Sequence, residues 1–244
     1  MENPIMISEL SFIRTYNSFW KSIFPGGEDY IRLINSTLGE SFAKQIDFKD
    51  PPFRRALINN VSFSFFELII NKNLTIWEFE ELTDTSDLLI KSIATEIKIL
   101  SNLRFGNMLL PELIGNEILT IKIIVKRLVG QYRFKAQLVL RPAFLGCGIL
   151  FEANGDIYYD STLVEIKAGQ RSFSILDLRQ LYTYAAMNHL NKEYEIIEIE
   201  LCNPRTGFLW REYIDIVSEN ISGYSTIEIF KEIITFISED NRSL

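Results

Sequence analysis

Asp156, Glu165 and Lys167 are the residues of this chain whose types and spacing could do chemistry. They lie in the segment Gly155-Asp156-Ile157-Tyr158-Tyr159-Asp160-Ser161-Thr162-Leu163-Val164-Glu165-Ile166-Lys167. In a strand, alternate side chains face the same way, so Glu165 and Lys167 share one face while Val164 and Ile166 take the other. Asp156 opens the preceding strand, and a short connection at Asp160-Ser161 sets it beside Glu165. Two converging carboxylates and the Ile166 carbonyl offer the oxygen ligands that Mg²⁺ or Mn²⁺ prefers. A cation held there lowers the pKa of a bound water and neutralises phosphate charge. Lys167 would hold the attacking water or counter the negative charge that develops. A strand with one solvated face also produces an isolated E-x-K, so a plain α/β protein with a surface E-x-K is the simpler alternative.

The rest of the composition narrows the chemistry. His189 is the only histidine among 244 residues. Multi-histidine zinc sites and two-histidine phosphodiesterase sites cannot form within one such chain, and a Ser-His-Asp or Cys-His pair could use only His189, so catalysis is expected to rest on carboxylates, lysine and an oxygen-liganded metal. Cys147 and Cys202 are far apart in sequence, outside any C-x-x-C, and are expected to be reduced and buried. The N-terminus does not read as a secretion signal and no run is long enough for a membrane span, so a cytoplasmic protein is expected. The net charge of −7 argues against non-specific nucleic-acid binding by the whole surface. Between Glu117 and Glu152, however, no acid occurs, while Lys122, Lys126, Arg127, Arg133, Lys135 and Arg141 all do. This run is either a solvated helix face with a few strand ends or a phosphate-contacting strip.

The elements that must position the three residues follow from periodicity. Apolar spacing predicts helices near 7–21, 28–46, 53–72 and 75–104, with breaks at Pro25-Gly26-Gly27 and Pro51-Pro52. A further helix covers 116–130 and stops at Gly130. Short apolar runs then predict strands near 136–141, 146–152, 155–160 and 162–168, with a tight turn at Asn154-Gly155. Ser174 and Asp177 open a helix in the manner of a capping box. Strands near 194–202 and 208–215 flank the turn from Asn203 to Gly207, and a last helix opens at Ser225 and Glu228. The order is that of an α/β core over 116–244 with a helical region, 1–115, packed on it.

Asp156, then Glu165-x-Lys167 on the next strand, then Gln180-x-x-x-Tyr184 on a helix, together resemble the PD-(D/E)XK nuclease superfamily over roughly residues 140–210. The Q-x-x-x-Y element resembles the RecB-like branch; a restriction-endonuclease-like branch is the other candidate. Gly155 stands where Pro occurs in the name-giving motif, and no RecB-like G-x-x-D appears around Gly146 and Gly148, which leaves the branch open. The resemblance implies a restriction-endonuclease-like mixed central sheet flanked by helices and a Mg²⁺- or Mn²⁺-dependent nuclease. Asp156, Glu165 and the Ile166 carbonyl would be the metal ligands, Lys167 the catalytic cation, and Gln180 and Tyr184 the residues lining the site. Glu152 and Glu96 are possible additional ligands, Glu96 as the acid that many such nucleases bring from an upstream helix. Arg179, Arg171, Lys126 and Arg127, with Arg205 behind them, are candidate nucleic-acid contacts. The implied substrate is DNA in preference to RNA, in restriction, phage defence or DNA repair. The implied partner is a second copy or another subunit of a defence system. The alternative is a non-catalytic nuclease-like subunit used for nucleic-acid binding or assembly.

Overall fold

Strand β6 (Thr162–Ile166) carries apolar side chains in both directions, and the fold is built around that fact. Leu163 enters one apolar cluster and Val164 the other, so β6 must run through the middle of a sheet covered on both faces. The computed structural model of the chain describes residues 6–48, 52–73, 86–105 and 112–239. Among these, six strands form one mixed sheet. Its order is β1 (Glu40–Ser41), β8 (Phe208–Tyr213), β7 (Glu198–Asn203), β6, β5 (Ile157–Tyr159) and β2 (Val139–Leu140). Only β6 and β7 run parallel. A parallel pair needs a crossover, which the helix α7 (Ile175–Asn191) supplies. A separate two-stranded ladder pairs β3 (Ala143–Phe144) with β4 (Ala153–Asn154).

Helices cover both faces, making an α/β protein. On the α7 side lie α1 (Glu9–Thr15), α2 (Asn17–Ile23), α3 (Gly27–Leu33), α8 (Ile214–Ser222) and α9 (Thr226–Glu239). Their Phe12, Trp20, Ile221 and Ile233 pack with Leu178, Leu201 and Trp210. On the other face lie α4 (Pro52–Asn71), α5 (Asp87–Phe105) and α6 (Gly115–Tyr132). In α6, Ile121, Ile124, Val125, Leu128 and Tyr132 recur at helical spacing and meet Ile58, Phe66, Val164 and Cys202. A buried ion pair joins two of these helices: Arg54 donates to both oxygens of Glu117 at 2.7 and 2.6 Å. The described residues ahead of 115 thus cover both faces and, through β1, extend the sheet. No helix of the described residues is long and apolar enough to cross a membrane. Both cysteines are free, Cys202 buried and Cys147 partly so.

Several predicted elements differ in extent. The helix expected over 7–21 is broken at Tyr16, whose ψ of 53° ends α1 and begins α2. The helix expected over 28–46 becomes α3, a π-helical turn over Ile34–Leu38 and then β1. Gly39 ends that turn against the Phe208 ring, where a Cβ would have no room, and the chain passes into pairing with β8. The helix expected over 75–104 is α5; residues 74–85 lie outside the described residues. Gly130 does not stop α6, which continues two residues further and buries Tyr132. No strand forms over 146–152, where only isolated bridges join Ile7 to Leu150 and Cys147 to Leu150. Asn154-Gly155 therefore links β4 to β5 instead of closing a hairpin. The strand expected to 215 ends at Tyr213, and α8 follows, burying Ile214, Val217, Ser218 and Ile221 at helical spacing.

Glu200 on β7 is a buried acid inside the layer beneath α6. Tyr132 and Tyr159 donate their hydroxyls to its two oxygens at 2.5 and 2.8 Å, and Arg211 donates to the Tyr159 oxygen at 3.1 Å. Burial pushes the Glu200 carboxyl above its ordinary value of 4.5, against the pull of the two tyrosines. A carboxyl whose folded-state pKa is raised favours folding while protonated, so its contribution is full below the unfolded value and is lost as pH rises through the raised one. Glu200→Gln should remove this loss. In urea titrations, the wild type should lose stability relative to the variant as pH rises above the ordinary carboxyl value of 4.5. A wild-type-minus-variant difference that stays constant with pH would contradict the assignment.

Candidate functional site

The β5–β6 hairpin turns through Asp160 and Ser161, whose φ values of 40° and 64° match the two-residue turn with left-handed central residues. Its register pairs Ile157 with Val164, so the next step places Asp156 opposite Glu165. Directly opposed residues point to the same face, which brings the two acids together from strands that a single turn connects. Asp156 Oδ2 accepts the Ile166 N–H at 2.7 Å, whereas the next amide, Lys167 N–H, points the other way to Cys202 O at 2.8 Å. The N–H and C=O of one strand residue share an edge, so the Ile166 carbonyl lies on the Asp156 side. The ladder ends there, because β2 stops at Leu140 and the Arg141 N–H caps Asp156 O at 2.9 Å.

Helix α7 supplies the other half of the site. Ser174 and Asp177 form the expected capping box, Asp177 Oδ2 accepting the Ser174 N–H at 2.8 Å and its hydroxyl at 3.1 Å. Asp177, Gln180 and Tyr184 then fall on one face of the helix. Lys167 Nζ donates to Glu165 Oε1 and to Gln180 Oε1, both at 2.7 Å, and stands 3.7 Å from Asp177 Oδ1. Gln180 Nε2 donates to the Tyr184 hydroxyl at 2.7 Å, and the Tyr184 ring stacks on Phe144 at 5.2 Å. Gln180 and Tyr184 are buried. They back Lys167, Gln180 holding the amine and Tyr184 holding Gln180.

The electrostatics are those of crowded negative charge. Burial, then the charge of Asp156, pushes the Glu165 carboxyl up to about 8, against the pull of Lys167. Burial also raises Asp156, opposed by the Ile166 N–H and by Lys167 and Arg141. Burial pulls Lys167 down, but Glu165 and Asp177 outweigh it and hold the amine above its ordinary value. Asp177 has its own partner, since Arg171 donates to both its oxygens at 2.7 Å. Lys167 is therefore the main counter-charge for two acids.

One acid near the site was not foreseen. Glu67 on α4 accepts two hydrogen bonds from Arg141, at 2.6 and 2.8 Å, and its charge raises the Asp156 carboxyl. Its signal in the sequence is a single acid inside the apolar run VSFSFFELII. Glu96, expected in this position, is exposed on α5. Glu152 is exposed ahead of β4, outside the six-stranded sheet. Among the described residues, no three His, Cys, Asp or Glu side chains form a metal-holding group. The available oxygen donors are Asp156, Glu165 and the Ile166 carbonyl. Beside them lies a cavity of about 120 Å³ whose walls include Asn59, Ser62, Phe63, Arg141, Asp156 and Ile166.

The expected nucleic-acid contacts divide. Arg179 is buried, donates to Ile13 O and Asn17 Oδ1 at 3.1 and 2.9 Å, and lies over the Trp20 ring; it ties α1 and α2 to α7. Arg127 is spent on the carbonyls of Pro204, Arg205 and Lys44. Arg205 is buried with Nε on Ala168 O at 2.8 Å. These three are structural, a correction with one cause: each guanidinium is turned inward onto oxygens of neighbouring segments, which a multi-donor fork is suited to satisfy. Lys126 is exposed on α6, and Arg171 is half-exposed beside Asp177. Of the basic run, Lys122 pairs with Asp87 at 2.8 Å and Lys135 lies over the Tyr159 ring, so it does not form one strip.

No protein-family model matches the chain, and no curated protein matches it.

Gln180→Leu separates the positioning of Lys167 from its charge. The variant should stay folded but lose about 1–3 kcal/mol in chemical denaturation, since Lys167 and the Tyr184 hydroxyl each lose a partner. No loss of stability would show that the Glu165–Lys167–Gln180–Tyr184 chain is not formed.

Proposed function

We propose that the chain is a Mg²⁺- or Mn²⁺-dependent nuclease of the PD-(D/E)XK type, with a restriction-endonuclease-like core, that hydrolyses phosphodiester bonds of DNA. One observation carries the reading. Asp156 and Glu165 oppose each other at the end of a ladder, and Lys167 is held beside them by Glu165 and Gln180.

The donor set fits a hard divalent cation. All candidate ligands are oxygens, and Glu165, which is buried, and Asp156, which is partly so, carry more negative charge when both are ionised than Lys167 alone balances. Glu67 and Asp177 are matched by Arg141 and Arg171, so the excess falls on Asp156 and Glu165. These two carboxylates and the Ile166 carbonyl would hold the ion. When bound, such an ion supplies Lewis acidity to the phosphate and a lowered pKa to its water. Lys167 spends two of its three N–H donors on Glu165 and Gln180, which leaves the third for the attacking water or a phosphate oxygen. Gln180 and Tyr184 are positioning residues, holding the amine where charge develops so that little reorganisation is needed. The settings implied by the resemblance are restriction, phage defence and DNA repair, with a second copy or another subunit completing the groove.

The test is cleavage of supercoiled plasmid and of single-stranded DNA in Mg²⁺, in Mn²⁺ and in EDTA, by wild type and Lys167→Ala. Cutting should require the metal and fall about 10²–10³-fold in the variant. Wild-type protein that cuts under no condition would overturn the reading in favour of a non-catalytic subunit. Equal cutting by both proteins would remove Lys167 from the mechanism.

A further inference from the structure

Arg141 is held in an unfavourable backbone conformation beside the site. Its φ is 52°, in the left-handed region, and it precedes Pro142. Few residues other than glycine and asparagine occupy that region, and a following proline favours extended backbone, so the placement costs conformational energy. Such strain collects where a side chain must be aimed. Here the Arg141 N–H is anchored on Asp156 O, and its guanidinium crosses to α4. It lies over the Phe63 ring at 5.0 Å and grips the Glu67 carboxylate with Nε and Nη2. About half of the Arg141 side chain, 52%, is exposed. It forms one wall of the cavity that Asp156 and Ile166 also line. The cavity, about 120 Å³ and open on one side, has room for a phosphate group.

A guanidinium fork that fits a carboxylate also fits a phosphate. We propose that Arg141 binds the phosphate of the diester beside Asp156, and that Glu67 is the stand-in acceptor that holds it in the free protein. The choice of a DNA diester rests on the nuclease reading; the phosphate site itself requires no catalysis. An incoming phosphate displaces Glu67 from the fork and so competes with it. Removing the arginine and removing the glutamate must then change binding in opposite directions, and the glutamate's effect must disappear once the arginine is gone, which charge alone does not produce.

The experiment measures binding of a short end-labelled single-stranded DNA to the full chain by fluorescence anisotropy in EDTA, over a salt series. Arg141→Gln should weaken binding about tenfold and lower the slope of log affinity against log salt by about one. Arg141→Lys, which keeps the charge and loses the fork, should fall between. Glu67→Gln should tighten binding about threefold or more, and the gain should vanish in the Glu67→Gln, Arg141→Gln double variant. Arg32→Gln, an exposed control on α3, should stay within about twofold of wild type. Arg141→Gln matching Arg32→Gln, or Glu67→Gln weakening binding, would overturn the proposal. If this pattern holds in a protein that never cuts DNA, the phosphate site stands and the nuclease reading falls. If the protein cuts DNA without the pattern, the nuclease reading stands and the phosphate site falls.

Discussion

Lys167 keeps its charge with only 20% of its side chain exposed, because Glu165, Gln180 and Asp177 surround the amine. A partly desolvated ammonium is costly unless paired and hydrogen-bonded, and here the pairing comes from two separate elements, β6 and α7. The strand fixes Glu165 two residues before Lys167 on the same face. The helix must then dock with its Asp177–Gln180–Tyr184 face against that position. The capping box at Ser174 and the Arg171 fork on Asp177 fix where the first turn of α7 begins. The sheet, the crossover and the helix start are therefore coupled through one amine.

The same coupling explains why the apolar part of the fold takes the form it does. α7 can carry polar groups toward the sheet only because its other positions, Leu178, Leu181 and Tyr182, are fully buried. Those contacts recruit α1, α2 and α9 on the outer side of α7. Arg179, one residue from Gln180, closes this layer by satisfying the Ile13 carbonyl and the Asn17 side chain. A residue that looks like a ligand contact in sequence is here a strut, and it stiffens the helix that presents Gln180.

What the sequence made legible was local. The E-x-K spacing, the Asp160-Ser161 connection and the Ser174 box are each set within a few residues, and each has the expected geometry. Features decided by distant partners were not legible. β1 is a two-residue strand in a helical stretch, formed because Gly39 fits against Phe208 and β8 has a free edge. The basic run from Lys122 to Arg141 is continuous in sequence, but a helix and two turns send its members in different directions. Glu67 became a site residue only when α4 was laid beside the end of β5, and helix periodicity cannot state which strand a helix will meet.

The concentration of acids is itself an argument about purpose. Glu165 lies in the sheet interior with its carboxyl raised, and Asp156 faces it across the hairpin. Apolar residues of similar size at these positions would remove repulsion and desolvation at once, and buried charges are generally poor contributors to stability. Elsewhere Glu117 and Asp177 each have a guanidinium of their own, Arg54 and Arg171, and Glu200, also raised by burial, is capped by two tyrosine hydroxyls. Among the described residues, a fold that gives Glu117, Asp177 and Glu200 partners of their own but sets Asp156 and Glu165 against each other, at the end of a ladder and beside a cavity that Asp156 and Arg141 line, has concentrated its cost where a cation and a phosphate could be bound. Local inconsistency of this kind, in an otherwise consistent structure, is what a working site requires.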